Sequence, residues 1–391
     1  MSTGRRAWHI VTCEYPPTIG GVADYTARIA SALARSGEAV HVWCPGFEAG
    51  EPAVDGVTVH RQLGRFSPTD CVRAGRLMDA HPDRRLLVQW VPHGYGYKSL
   101  NVPFAFWLAW RARVRGDELQ LMIHEPYMRE RWPPKYLAAS LIERVMLWLI
   151  GIASSRTWLS TPSWRPFVRH YVRRGTPLEW LPVPAPLDPP STSPEPKGDA
   201  GVPVIGHFST HSPVVTAILG PALETILRNC TASIVLMGRD SERFRADLVE
   251  RFPACAPRVT ATGVLEVSEI ATRMRACDVM LQPYPDGITT RNTSMLLALA
   301  SGLCVVSNAG PLTEDLWKSN GAVVLAPDAD PATLATLTMS LLNEPEHLAA
   351  AASRGARLYR DVFDIRHAAA ALTHSVSHTT SAASPALHAE T

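Results

Sequence analysis

Short apolar runs alternate with helix-length segments over the first half of the chain. Runs rich in Val, Ile and Leu lie at residues 8–13, 39–43, 86–91, 119–123 and 157–160. Segments with helical spacing lie between them at residues 22–35, 103–115 and 162–173. Strands buried on both faces of a parallel sheet have such continuous apolar runs, and a helix joins each strand to the next. We therefore predict a doubly wound α/β domain over residues 1–181.

A second series of the same kind follows a proline-rich segment. Residues 182–203 contain eight prolines, which continue neither a helix nor a central strand, so we predict an interdomain linker there. Strand-like runs follow at residues 204–208, 232–237, 259–261, 279–282, 304–307 and 322–325. Helix-like segments separate them at residues 214–228, 241–252, 267–276 and 292–301.

Helical patterns close the chain. Residues 331–343 and 345–362 predict helices that complete a second doubly wound domain over residues 204–363. Residues 364–376 predict a crossover helix that returns to the first domain. The tail at residues 377–391 is small and polar, so we expect disorder there.

Length, charge and cysteine spacing narrow the function classes. The 391 residues exceed what one hydrophobic core usually supports, which agrees with two domains. The net charge of +2 gives no electrostatic case for nucleic acid as the main partner. The seven cysteines form no CxxC pair, which argues against a zinc ribbon or a disulfide framework. Free thiols fit a reducing compartment and no signal-peptide pattern follows the N-terminus, so we predict a cytoplasmic location.

The most hydrophobic segment, residues 136–152, has two interpretations. Glu143 and Arg144 interrupt it and it is short for crossing a bilayer, so we predict a largely buried helix. The alternative is that Trp148, with the earlier Trp107 and Trp110, contacts a membrane surface.

The loops that follow the strands are where chemistry is expected. Two doubly wound domains that face each other place the carboxyl ends of their strands on either side of one cleft, where ligands of such sheets bind. In the first of these loops, Gly20 and Gly21 lie between a strand and a helix start. Paired glycines let backbone N–H groups approach a phosphate or sugar, and the helix N-terminus adds partial positive charge. A tight turn also requires glycine, so a structural role is the alternative.

Longer segments resemble family 4 glycosyltransferases, a retaining family with the GT-B fold. The similarity lies in YPPTIGGVADYTARIASALARSGEAVHVWCP, LLVQWVPHGYG and MIHEPY in the first half. In the second half it lies in TGVLEVSEIATRMRACDVMLQPYPDG and ALASGLCVVSNAGPLTEDLW. The resemblance implies two Rossmann-like domains facing a central cleft. The first domain would bind the acceptor and the second a nucleotide sugar.

The resemblance gives His124 a role beside the transferred sugar. His124 follows the apolar run at residues 119–123, and in the family a histidine at this strand end hydrogen-bonds to the sugar. A neutral imidazole would donate to a sugar hydroxyl, so we expect no mildly acidic pH optimum. A histidine satisfied by nearby backbone groups is the alternative.

The donor-side motif departs from the family pattern. Many members have two glutamates separated by seven residues, one near the sugar and one on the ribose. Alignment from the left puts Asp286 and Ser294 at these positions, and alignment from the right puts Thr289 and Leu297 there. Neither alignment keeps both acids.

Polar residues cluster instead at the predicted start of a helix. The cluster comprises Gly287, Thr289, Thr290, Arg291, Asn292, Thr293 and Ser294. Backbone N–H groups at a helix start and a bidentate arginine can hold a diphosphate, although helix capping by Asn292 or Thr293 is the alternative. The family usually supplies an arginine and a lysine from the loop at residues 209–213, which here has neither. We predict that Arg291 replaces them, assisted by His211, because a retaining transfer needs positive charge on the leaving phosphates.

Three further positions match the family's nucleotide-binding region. Arg239 and Leu265 lie where the family places the base, and Glu314 matches a ribose partner. A solvated loop charge at Arg239 and a helix N-terminal acid at Glu314 are the alternatives.

The resemblance implies a hexosyltransferase of polysaccharide or glycolipid biosynthesis. It would move a sugar from a nucleoside-diphosphate sugar, by preference a UDP-sugar, to an acceptor hydroxyl with retention. We expect His124, Arg291 and Asp286 to be catalytic, with no bound metal and no cofactor apart from the nucleotide sugar as co-substrate. Two alternatives stay open: a catalytically degraded GT-B protein that binds a nucleotide or partner without turnover, and a GT-B sugar-nucleotide epimerase.

The acceptor is a glycan, a lipid-linked molecule or a small molecule. A basic face of Arg165, Arg169, Arg173 and Arg174 on the predicted helix at residues 162–173 favours the lipid-linked class if it contacts anionic lipid. The protein would then be peripheral to the inner face of the membrane. A solvated basic face is the alternative.

Overall fold

The structure, a computed structural model, contains two parallel sheets covered by helices. It describes residues 7–18, 20–46, 56–81, 83–96, 100–128, 134–187 and 201–374. The predicted tail and residues 188–200 of the predicted linker lie outside the described residues.

Seven parallel strands form the sheet of the first half. They are β1 (Trp8–Val11), β2 (Val40–Trp43), β3 (Val57–His60), β4 (Arg85–Trp90), β5 (Glu118–Ile123), β6 (Arg156–Leu159) and β7 (Leu178–Trp180). Their order is β3-β2-β1-β4-β5-β6-β7. The direction of winding reverses between β1 and β4, which opens a crevice beyond the carboxyl ends of these two strands.

Six parallel strands form the sheet of the second half. They are β8 (Val204–Phe208), β9 (Ser233–Met237), β10 (Val259–Ala261), β11 (Val279–Leu281), β12 (Cys304–Asn308) and β13 (Val324–Ala326). Their order is β10-β9-β8-β11-β12-β13, so the corresponding crevice lies between β8 and β11.

Helices connect the strands on both faces of each sheet. Those of the first half are α1 (Gly21–Arg35), α2 (Pro68–Met78), α3 (Val102–Trp110), α4 (Pro134–Ala153) and α5 (Arg165–Val168). Those of the second half are α6 (Pro213–Asn229), α7 (Ser241–Arg251), α8 (Val267–Arg275), α9 (Thr293–Ala300), α10 (Asp315–Ser319), α11 (Pro331–Asn343), α12 (Pro345–Leu358) and α13 (Ile365–His374). A π-helical turn extends α3 through Arg115 and another extends α12 through Phe363.

The two halves share apolar contacts. Leu312, which follows β12, joins the core cluster on one face of the first sheet. On the other face, Ile365, Ala368 and Leu372 of α13 pack in a cluster with Ile29 of α1. The chain therefore returns to the first half after completing the second.

The prediction that α4 is largely buried is wrong. Only a third of the stretch Tyr136–Ala153 is buried, and Leu141 is 63% exposed. The charge pattern misled the prediction, because the Glu143 carboxylate turns inward and accepts a hydrogen bond from the Met128 N–H at 2.7 Å. The apolar side chains opposite it face outward instead.

The predicted helix at residues 162–173 is also wrong in extent. A 3₁₀ turn at Pro162–Trp164 leads into α5, which ends at Val168. Arg169, Arg173 and Arg174 lie in the turns that follow, so the four arginines do not share one helix face. Sequence patterns also missed β3, β7, α2 and α10, which are short or lack a continuous apolar run.

Candidate functional site

A cleft at the carboxyl ends of the strands holds a cavity of about 220 Å³. The loops after β1, β4, β5, β6 and β7 line one side of it together with the start of α1, and the start of α9 lines the other. The lining residues are Glu14, Gly21, Val22, Val91, His93, His124, Glu125, Ser160, Val183, Arg291 and Thr293. Four predicted site residues therefore meet in one cavity: Gly21, His124, Arg291 and Thr293.

The glycine turn before α1 is occupied by a carboxylate of the chain itself. Glu14 Oε1 accepts hydrogen bonds from the backbone N–H groups of Val22 and Ala23, both at 3.1 Å. A Cβ on Gly20 would lie 2.4 Å from Glu14 Oε1, whereas a Cβ on Gly21 would meet nothing within 4 Å. Two of the N–H groups predicted to receive a phosphate are thus already satisfied, and the carboxylate presents negative charge to the cavity.

Burial holds the His124 imidazole neutral. Desolvation, followed by the positive charge of Arg291, lowers the pKa of His124 to about 3. Its Nε2 lies 2.8 Å from Gln89 Oε1, and the Tyr25 ring packs edge-on at 5.0 Å. In this orientation Nε2–H donates to Gln89, which makes Nδ1 an acceptor. The predicted donor role toward a sugar requires the other tautomer, with the Gln89 amide turned over.

Arg291 crosses the cleft from the second half to the first. Its Nη1 donates to Glu125 Oε1 at 2.8 Å, and its guanidinium carbon lies 5.2 Å from the centre of the Trp164 ring. Trp164 Nε1 in turn donates to the His124 carbonyl at 2.9 Å. The cation is therefore fixed beside His124 by one carboxylate and one aromatic face.

Glu314 belongs to a buried network between the two halves. Its Oε1 accepts from the Thr161 hydroxyl and from the Thr290 hydroxyl at 2.8 Å. The Thr290 N–H and Trp317 Nε1 also donate to the carboxylate, each at 3.0 Å. Glu314 does not line the cavity described above, and its ribose role stays a prediction.

The start of α9 has no side-chain cap. Asn292 Oδ1 instead accepts from the N–H and hydroxyl of Thr289, at 2.6 and 2.9 Å, which tightens the turn before the helix. Ser294 Oγ lies 3.0 Å from the Tyr284 hydroxyl. The capping alternative for Asn292 is thus not realised, and Thr293 faces the cavity at the helix start.

Asp286 and Gly287 form a loop that packs against another loop. Gly287 has a φ of +83°, and an added Cβ would lie 2.3 Å from both Gly310 N and Thr313 Oγ1. The Asp286 carbonyl accepts from the Leu312 N–H at 3.1 Å. The packing of these two loops accounts for the glycine. Neither residue lines the cavity, and a catalytic role for Asp286 stays a prediction.

The loop after β8 contacts the loop after β9 at His211, and the loop after β9 contacts the loop after β10 at Gly238. His211 Nδ1 donates to the Arg239 carbonyl at 3.0 Å, while the Arg239 side chain is exposed. Gly238, at a φ of +104°, donates to the Gly263 carbonyl at 3.1 Å, and Leu265 is half-buried nearby in sequence. Burial lowers the pKa of His211, so the imidazole supplies no positive charge at neutral pH and the predicted assistance to Arg291 is not ionic.

Sequence patterns missed the residues that position the predicted ones. Glu125 directly follows His124, but its partner Arg291 lies 166 residues away, so no local pattern links them. Glu14 belongs to the glycine loop, yet only the folded turn brings its carboxylate under α1. Among the described residues, no group of three or more His, Cys, Asp or Glu is placed to hold a metal ion.

Solved structures with the same two-sheet arrangement identify the fold. Sucrose-phosphate synthase from Thermosynechococcus elongatus superposes with a TM-score of 0.74 at 14% identity, covering 96% of this chain and 99% of that chain. The chain has the GT-B fold. A second GT-B structure, HepE from Anabaena in complex with UDP and glucose, gives a TM-score of 0.68 at 16% identity, covering 96% of this chain and 100% of that chain. The predicted GT-B fold is thereby confirmed.

The second GT-B domain also matches a sequence family. Residues 203–344 match the family model described as Glycosyl transferases group 1. WaaG, a glycosyltransferase involved in lipopolysaccharide biosynthesis, shares the fold with a TM-score of 0.67 at 14% identity, covering 95% of this chain and 100% of that chain. No curated protein matches the sequence significantly.

Proposed function

We propose that the protein transfers a hexose from a nucleoside-diphosphate sugar to an acceptor hydroxyl with retention of configuration. The cavity shared by the two GT-B domains carries this proposal, because an arginine of the second domain lies beside a neutral histidine of the first. The family match over residues 203–344 supports a glycosyltransferase role for the second domain.

Arg291 is the proposed electrostatic catalyst. When the bond between the anomeric carbon and the diphosphate oxygen breaks, negative charge develops on the leaving phosphate, and a fixed guanidinium compensates it. Glu125 and Trp164 hold the guanidinium in place, and its Nε–H has no hydrogen-bond partner among the described residues. The acceptor hydroxyl oxygen attacks the anomeric carbon from the side of the departing phosphate and passes its proton to a phosphate oxygen.

We propose that the start of α9 binds the diphosphate. The uncapped helix start provides backbone N–H groups and partial positive charge, and Thr293 lies there against the cavity. The occupied turn before α1 disfavours an anion, since Glu14 is already bonded there. We assign that turn to neutral sugar hydroxyls, with Glu14 as acceptor.

UDP is the proposed nucleotide. HepE from Anabaena has been solved with UDP-glucose, and an E. coli GT-B protein with UDP-2-fluoro glucose. Isothermal calorimetry with UDP-, GDP- and dTDP-sugars tests the preference, with tightest binding expected for a UDP-sugar. Equal or absent binding of all three would contradict it.

The decisive variant for transfer is Arg291→Ala. It should lower kcat about 100-fold or more, in line with the loss of one charge-compensating group, while the exposed Arg243→Ala on α7 should not change it. Turnover is measured as UDP release with an acceptor panel. Unchanged turnover in Arg291→Ala would overturn the assignment. Transfer should also persist in EDTA, because we propose a metal-independent reaction.

A binding protein without turnover is the second candidate. The departure of both motif positions from glutamate and the pairing of Arg291 with Glu125 favour it. Donor binding by calorimetry without hydrolysis or transfer across the panel would support this candidate and reject the enzyme.

A further inference from the structure

Helix α4 has an apolar face toward solvent. Its exposed large side chains include Leu137, Leu141, Val145 and Trp148, of which Leu141 is 63% and Trp148 48% exposed. They recur every three or four residues, so they form one stripe along the helix. A helix at the surface of a soluble domain normally places polar residues there, and a continuous apolar stripe therefore indicates a partner.

The neighbouring helix α3 extends this stripe. Phe106, Trp110 and Val114 recur every four residues, and Phe106 is 61% and Val114 65% exposed. Buried residues of α3 and α4 belong to one core cluster on one face of the first sheet. The two helices thus present their outer sides together. We name this surface the apolar patch: Phe106, Trp110, Val114, Leu137, Leu141, Val145 and Trp148.

The inner side of α4 is fixed within the domain. Met146, Leu147 and Ile150 are fully buried in the core cluster, and Ser140 Oγ donates to the Met128 carbonyl at 2.9 Å. The stretch Tyr136–Ala153 is long and apolar enough to cross a membrane by composition. Crossing would place the Glu143 carboxylate in hydrocarbon and remove these contacts, so a position parallel to a membrane surface fits the packing.

Arginines border the end of α4. Arg113 donates to the Ile152 carbonyl, and Arg113 and Arg173 line the same surface depression beside the helix end. Residues 165–175 contain four arginines and no acidic residue. This segment lies against α4, since a Cβ on Gly151 would be 2.3 Å from the Tyr171 carbonyl oxygen. Positive charge therefore borders the apolar surface of α4.

We propose that the apolar patch inserts into the interface of an anionic lipid bilayer. Tryptophans and Phe106 suit the boundary between headgroups and acyl chains, and the arginines bind lipid phosphates at its edge. An apolar stripe without charge around it would suit a protein partner. An apolar stripe bordered by arginines complements a negatively charged membrane. The proposal does not depend on sugar transfer.

Vesicle co-sedimentation of the full chain tests the proposal. The wild type should sediment with vesicles of phosphatidylglycerol and phosphatidylcholine, more weakly with phosphatidylcholine alone, and less at high salt. The double variant Leu141→Gln/Trp148→Gln should bind the anionic vesicles with an affinity at least about tenfold lower. The matched control Val202→Gln/Val214→Gln removes exposed apolar residues of the second half and should bind as the wild type.

Two further measurements separate the other outcomes. Arg173→Gln/Arg174→Gln should lose the preference for anionic vesicles. Brominated acyl chains should quench wild-type fluorescence more than that of Trp148→Phe, which reports contact by that side chain directly. The proposal would be overturned if the wild-type protein bound neither type of vesicle. It would also be overturned by a wild-type dimer in sedimentation velocity that Leu141→Gln/Trp148→Gln dissociates, since the patch would then bind a second copy of the chain.

Discussion

The adjacent glycines before α1 differ in what surrounds them, which gives a sharp test at the residue scale. Gly20→Ala should displace the Glu14 carboxylate, because an added Cβ would lie 2.4 Å from it, and free the N–H groups of Val22 and Ala23. We expect a loss of about 1 kcal/mol in the free energy of unfolding, as for a lost helix cap. Gly21→Ala should be neutral in urea titrations, because the space beside it is open.

Substitutions of Glu14 test the same contact from the side of the carboxylate. Glu14→Gln keeps an acceptor for the two N–H groups, so it should retain most of the stability that Glu14→Ala loses. Binding measurements on the two glycine variants then separate packing from ligand contact. If Gly21→Ala is stable but loses donor or acceptor binding, a ligand passes close to the backbone at this glycine. Equal stability of Gly20→Ala and wild type would show that Glu14 does not cap α1.

The sequence predicted several residues that line the cavity but not the contacts that hold them there. The resemblance placed His124, whereas the chemistry of a glycine turn and of a helix start placed Gly21, Arg291 and Thr293, and all four line one cavity. The sequence did not provide the contacts that fix their chemistry, since Gln89, Glu125 and Trp164 act across distances that no local pattern spans. The need for glycine at position 287 also could not be predicted from the local sequence, because the loop that an added Cβ would contact lies more than twenty residues away.

At the scale of elements, the loop after β6 is tied to the loop before α10 by one buried carboxylate. Thr161→Val keeps the shape of the side chain but removes its hydrogen bond to Glu314 across the two halves. Hydrogen bonds to charged groups contribute about 1.5–3 kcal/mol, so we expect a loss of that size in the free energy of unfolding. The weaker interface should also raise the radius of gyration in X-ray scattering.

A matched threonine provides the control for this interface. Thr225 on α6 donates to the Pro221 carbonyl at 3.0 Å on an exposed surface, so Thr225→Val removes a hydroxyl without touching the interface. Thr225→Val should change neither the free energy of unfolding nor the radius of gyration by much. A Thr161→Val protein with wild-type stability and radius would mean that the hydrogen bond from Thr161 to Glu314 does not help to hold the halves together.

Element prediction succeeded where burial on both sides of a strand leaves a strong signal. The apolar runs at β4 and β5 are buried throughout or nearly so, and alternation with helices was enough to indicate parallel sheets. The edge strands β3 and β7 are partly exposed and were missed. The α4 error has a different origin: Glu143 faces inward, and hydrophobicity alone does not distinguish a core helix from one with an apolar outer surface.

At the scale of the whole molecule, a histidine cluster makes stability depend on pH. His9 lies beside His41 and His81, and His41 Nδ1 is 3.0 Å from His60 Nε2. Burial, with repulsion from neighbouring imidazoles second, lowers the pKa of His9 to about 2 and of His41 to about 4. Arg84 also faces His9 and adds to its shift. The folded chain thus keeps the His9 and His41 rings neutral where the unfolded chain binds protons, below the ordinary histidine pKa of 6.5.

Stability should therefore fall as pH drops from about 7.5 to about 5, by about 1.4 kcal/mol per pH unit for a fully buried ring such as His9. The neutral His124 and His207, whose pKa values burial lowers to about 3, act in the same direction. Asp24 and Glu143 oppose them, since burial raises the pKa of both carboxyl groups, that of Asp24 to about 6, and their protonation then favours the folded state. The histidines with lowered pKa values outnumber these two carboxyl groups, so the net slope keeps its sign.

Urea midpoints measured across this pH range by tryptophan fluorescence check the slope. His41→Gln removes one member of the cluster and relieves His9, so it should flatten the dependence, because fewer groups take up protons only on unfolding. Thr225→Val on α6 removes an exposed hydroxyl and no titratable group, so it should leave the slope unchanged. A midpoint that stays constant down to about pH 5 in the wild type would show that the cluster accepts protons in the folded state, and with it that water reaches the amino-terminal edge of the first sheet.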